Sequence, residues 1–144
     1  MKDKFRATRR AGRLLGTAAT ATAIAASVVA YAGPAQAATN PYTAQGVCGS
    51  GFHELEHHSI PGAVIHLMWN GADNCVATMK TSNIGKKTET EAILEVKSSP
   101  TGFYSDEGNY AYYAAIKERG AGYCIKWGGM TTGIWESPTW GHCG

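Results

Sequence analysis

Chain-reversal signals set the fold class of this sequence. Pro61-Gly62, Asn70-Gly71, Gly85, Pro100-Thr101-Gly102, Asp106-Glu107-Gly108-Asn109, Gly120-Ala121-Gly122 and Gly128-Gly129 recur at short intervals. Glycine takes positive φ at no steric cost, and proline presets φ for a turn, so each site reads as a reversal. The runs between them are too short for ordinary helices and rich in β-branched and aromatic residues. The pattern predicts an all-β fold: a small antiparallel sandwich or barrel of about six to eight short strands.

Individual runs carry this reading. Ala63 to Trp69 is apolar on both faces apart from His66, as a central strand would be. Between 88 and 97, Thr90, Ala92, Leu94 and Val96 alternate with Glu89, Glu91, Glu95 and Lys97. Ile93 breaks that alternation, and the helix formers from Glu89 to Val96 keep a short helix as the alternative. Tyr110 to Ile116 and Tyr123 to Trp127 also read as strands. Residues 38–46 read as a loosely ordered arm, and 47–144 as a single disulfide-stabilised β domain.

The first 37 residues read as a cleaved secretory signal. A basic stretch (Lys2, Lys4, Arg6, Arg9, Arg10, Arg13) leads into an apolar run from Leu14 to Ala32, and Ala35-Gln36-Ala37 offers a signal peptidase its small residues. A membrane anchor is the competing reading. The run is short, diluted by Thr17, Thr20 and Thr22, and lacks stop-transfer charges after it. Thr8-Arg9-Arg10 hints at twin-arginine export, but Gly12 and Arg13 stand where that route wants apolar residues, which favours the general route. Removing the signal takes six of thirteen basic and one of eleven acidic residues, so 38–144 carries a net charge of −3. Nucleic acid and anionic membrane are thereby disfavoured as partners, since both need a basic face.

Cys48, Cys75, Cys124 and Cys143 all lie beyond the signal, where disulfides persist. Four cysteines allow three pairings. A reversal at Ile60-Pro61-Gly62 sets Cys48 opposite Cys75, and one inside Gly128 to Gly133 returns Cys143 towards Cys124. Hairpin symmetry therefore favours Cys48–Cys75 with Cys124–Cys143.

Chemistry-bearing motifs are few. His53-Glu54-Leu55-Glu56-His57 matches the zinc-protease pattern H-E-x-x-H, which works only on a helix, where both imidazoles meet one metal. Gly49-Ser50-Gly51 before it and Pro61-Gly62 after it leave little room for a helix. A regular strand would put His53 and His57 on one face about 13 Å apart, too far to share an ion. A polar strand is the plainer reading, and His57, His58 and His66 could make only an adventitious metal or pH-sensitive patch. Ser50 is no nucleophile elbow, because Cys48 and Phe52 take the glycine places. No catalytic residue, metal site or cofactor is expected, and the protein is read as a non-enzyme. Aromatic residues are the surplus. Trp69 and Trp127 are read as core, whereas Trp135 and Trp140, in a Gly/Pro-rich segment, are candidate ligand contacts.

Four ordered blocks carry a family resemblance: Asn40-Pro41-Tyr42-Thr43 with Gly46-Val47-Cys48-Gly49-Ser50-Gly51, Asn74 to Ser82, Cys124 to Gly129, and Ser137-Pro138 with His142-Cys143-Gly144. Together they resemble the actinomycete spore-associated protein A family over nearly all of 40–144. The resemblance implies a small secreted protein found with the spore or aerial-hyphal surface, and it brings no catalytic residue. The leading expectation is thus a secreted, non-catalytic protein whose partner is a spore or cell-wall surface component. The alternative is a secreted binding module, carbohydrate-binding or protease-inhibitor-like.

Overall fold

The computed structural model describes residues 38–144, so the signal and cleavage site expected over 1–37 lie outside the described residues. One short helix, α1 (Ala44–Cys48), precedes eight strands: β1 (His53–Ile60), β2 (Ala63–Trp69), β3 (Asp73–Lys80), β4 (Thr88–Val96), β5 (Gly102–Tyr110), β6 (Tyr113–Arg119), β7 (Ile125–Met130) and β8 (Ile134–Glu136). They form two four-stranded sheets ordered β1-β2-β3-β6 and β5-β4-β7-β8. Every pairing within them is antiparallel. The fold is all-β, as the reversal signals predict.

Alternation along the strands builds the core. Ile65, Leu67 and Val76 from the first sheet meet Ala92, Leu94, Val96, Ile125 and Trp127 from the second. Burying an aliphatic side chain of this size is worth roughly 1.5–3 kcal/mol. A second apolar layer lies outside the first sheet, where Ala44, Cys48 and Phe52 cover Met68, Cys75, Ala77 and Met79. Seven of the eight β3 residues are buried because that strand is covered on both sides. Disulfides join Cys48 to Cys75 and Cys124 to Cys143. The first ties α1 to β3; the second ties the β6–β7 connection to the C-terminal segment.

Among the described residues Lys80 is the charged one in the interior, where Asn74, Thr78 and Thr90 are the other buried polar residues. Its ammonium is buried, and burial pushes its pKa down. It donates to Lys86 O (2.7 Å), Thr88 Oγ1 (2.7 Å) and Tyr110 O (2.9 Å), using all three donors. It thereby pins β3, the start of β4 and the end of β5 at one end of the sandwich.

Several local expectations are corrected, each by tertiary packing. Glu89–Val96 lies wholly within strand β4, not a helix, and Ile93 is buried on the opposite face from Ala92 and Leu94. Asp106 to Asn109 continues strand β5 instead of turning. Gly108 serves there as space, since a Cβ would sit 3.1 Å from the Tyr110 ring. Gly128-Gly129 is likewise inside β7, where a side chain at 128 would meet the β8 backbone and one at 129 would meet Glu91 O at 2.8 Å. The run Tyr110 to Ile116 is broken by a turn at Ala111-Tyr112 between β5 and β6. Within the arm over 38–46, residues from Asn40 on make defined contacts. Asn40 Nδ2 donates to Lys80 O (3.1 Å) and Tyr112 O (2.8 Å), and Thr43 caps α1 by accepting from Gly46 N–H (3.1 Å).

Candidate functional site

The H-E-x-x-H residues lie on strand β1, so the helical metal geometry does not form. A bulge alters the expected alternation: the register with β2 steps from Glu54–Met68 to Glu56–Leu67. Glu54 thereby comes within hydrogen-bond reach of His57, three residues on, and of His66, the cross-strand neighbour of His57. Glu54 Oε1 lies 2.8 Å from His57 Nδ1, and Oε2 lies 2.5 Å from His66 Nδ1. Burial alone would raise the Glu54 pKa; hydrogen bonds and positive charge from His66 and His57 outweigh it and lower the value. Among the described residues no three His, Cys, Asp or Glu side chains are arranged to hold a metal ion.

The two candidate tryptophans go to different places. Trp135 on β8 stacks on His58 of β1 (centroids 3.9 Å, 9° between planes) and meets Trp127 edge-on at 4.9 Å. Trp127 is core, as expected; Trp69 is not, being half-buried at the rim of a depression shared with Leu55, Asn74 and His142. A cleft of about 190 Å³ runs beside Trp135, with Ser137 and the Glu56–His142 pair (3.1 Å) among its walls. The cleft marks where β1 meets the second sheet, a seam also closed by the Thr131 and Thr132 hydroxyls donating to Pro61 O (2.6 and 3.2 Å). Trp140 has two ammonium groups near its ring, Lys97 Nζ at 5.7 Å and Lys126 Nζ at 5.5 Å from the centroid.

No family model matches the chain, and no solved structure matches it. It is 32% identical over 131 aligned residues to Spore-associated protein A of Streptomyces coelicolor, an alignment covering 85% of this chain and 82% of that protein. The chain belongs to the spore-associated protein A family. In this member of the family, aromatic rings also gather at a place the sequence reading passes over. Tyr42, from the segment read as a loose arm, packs against Tyr112 and Tyr113 with both centroid distances 5.2 Å. Asp106 stands beside them, its Oδ1 accepting from the Tyr110 hydroxyl (2.5 Å) and its Oδ2 from Ala115 N–H (2.9 Å). That hydrogen bond to Asp106, with burial and the carboxylate charge behind it, raises the Tyr110 pKa. The available signal was Asn40-Pro41 directly before an aromatic residue, a turn-forming pair that fixes the ring after it.

Proposed function

We propose that this protein is secreted and acts, without catalysis, as a component held non-covalently on the spore or cell surface. Family membership carries the reading, because the relative that matches most of the chain is itself named for its association with spores. Two further observations support it. Both disulfides suit an oxidising exterior. The groups that might have done chemistry are engaged in structural contacts: Glu54 with His57 and His66, Glu56 with His142, and Ser137 Oγ with Trp127 N–H at 3.1 Å.

Fractionation of a sporulating culture tests this. The protein is expected on washed spores or walls, released by salt or detergent without breaking covalent bonds. Recovery only from the cytoplasm, or only from cleared medium, would contradict the proposal.

A further inference from the structure

We propose that Tyr42, Tyr112 and Tyr113, with Asp106, form a glycan-binding subsite at the β5–β6 end of the sandwich. The inference deepens the surface reading, on which it rests for its biological setting, by naming the chemistry that would hold the protein there.

The site is built rather than incidental. Asn40 acts as a clip: its Nδ2 spans Lys80 O and Tyr112 O, while its Oδ1 accepts from Tyr42 N–H at 3.1 Å. Three hydrogen bonds from one side chain thus fix the backbone that delivers Tyr42. The residue so positioned is not core: Tyr42 keeps 47% of its surface exposed. Its ring meets those of Tyr112 and Tyr113 at 59° and 67°, so the three present a faceted aromatic wall rather than a closed stack. The wall borders an open depression of about 250 Å³ that Asp106, Tyr110 and Ala111 complete. That volume lies below the roughly 300–1,000 Å³ of drug-sized pockets and suits about one ring of a longer ligand.

The lining selects the ligand. Each tyrosine offers an apolar face and a hydroxyl edge, which fits a pyranose with a C–H face and equatorial hydroxyls. Asp106 is an acceptor whose two oxygens are oriented by Tyr110 and Ala115 and retain lone pairs for a donating hydroxyl. A proline-rich peptide also docks on aromatic walls, but its prolines lack an N–H, so only an intervening residue could donate to Asp106, whereas a sugar brings hydroxyls at most ring positions. The tryptophans do not compete for this role: Trp135 is already stacked on His58, and Trp140 has two lysine ammonium groups at its ring.

Sedimentation of the oxidised protein with chitin, cellulose and purified peptidoglycan sacculi tests the subsite, with intact spores measured in parallel. The wild-type protein should bind at least one glycan saturably, and Tyr42→Ala should weaken that binding at least about tenfold. Tyr42→Trp should retain it within about threefold, which separates lost stacking from lost folding. Asn40→Ala should weaken it through the loosened clip, whereas Trp140→Ala should leave it unchanged. Binding by Tyr42→Ala equal to wild type would overturn the proposal, as would capture of a proline-rich peptide with no glycan bound. Sedimentation with spores but with none of the glycans would overturn the subsite and leave the surface reading standing. Retention on glycan with no retention on spores would support the subsite and count against the surface reading.

Discussion

The outer faces of the two sheets have opposite characters. Outside β1-β2-β3-β6, the α1 segment, Phe52 and the Cys48–Cys75 bridge cover Met68, Ala77 and Met79. Lys117 fastens that cover by donating to Cys48 O at 2.9 Å, and its ammonium lies 5.7 Å from the Phe52 ring. Nothing among the described residues plays that part outside β5-β4-β7-β8. Alternation puts Glu89, Glu91, Glu95, Glu107 and Glu136 there, and the register opposes Glu91 directly to Glu107. Phe103 and Ile134 stand out from the two edges at 61% and 65% exposure. The first sheet is thus covered on both sides at β2 and β3 though not at β1, while the second offers most of its outer side to solvent, with Ile93 buried there. The difference teaches where stability should reside and where the surface can change freely.

Matched substitutions can break that comparison. Ala77→Glu on the covered face should have the largest effect, costing about 4 kcal/mol or abolishing folding, because an unpaired carboxylate would replace a fully buried methyl. Urea unfolding reads this directly, and an Ala77→Glu midpoint near wild type would mean that the cover is not formed in solution. Replacing Cys48 and Cys75 together by serine should cost about 3 kcal/mol or more. Loop closure alone values the Cys124–Cys143 bridge nearly equally, given sequence separations of 27 and 19. A clearly larger loss for the Cys48–Cys75 pair would therefore isolate what the cover adds, and equal losses would remove that distinction.

Acidity sharpens the contrast more gently. The Glu136 carboxyl is held above its ordinary value by its hydrogen bond with Glu95 and by burial, and Glu91 by burial and the Glu107 charge. A carboxyl raised on folding supports the fold while protonated, and that support is lost as pH rises through its folded pKa. Glu54, lowered on the other sheet, behaves oppositely: its contribution is present above the unfolded value and lost as pH falls through the folded one. Glu136→Gln should accordingly be more stable than wild type at pH 7, with the gap closing as pH drops through the carboxylate range. A gap independent of pH would rule out a raised Glu136 carboxyl. Smallest of all, Phe103→Ala and Ile134→Ser on the bare face should each shift stability by no more than about 0.5 kcal/mol. A loss above about 1.5 kcal/mol at either would show that this face is not bare.

Much of the framework was legible in the sequence because its determinants are local. Alternation marks β4, and the reversal within 131–133 returns Cys143 to Cys124, whereas Cys48 reaches Cys75 because α1 packs on β3, not across the hairpin at Pro61-Gly62. Glycines misled where their purpose is tertiary. Gly108 yields space to Tyr110, and Gly128 and Gly129 let neighbouring chain approach, yet in sequence both places look like turns. The bulge at Leu55 was invisible for a related reason: its register is set by the partner strand. The tyrosine wall escaped notice because Tyr42 sits 70 residues from Tyr112 and the link between them is a single asparagine side chain. Trp135 and Trp140 were visible as a surplus, but their engagement by His58 and two lysines belongs to the assembled fold.

The claim that this family member is a surface-held protein is tested most directly by its own partition. Increasing amounts of the oxidised protein would be mixed with purified spores and, separately, with vegetative walls, and the pelleted fraction measured. The account predicts saturable binding that high concentrations of unlabelled protein displace. Protein left wholly in the supernatant of both would contradict it.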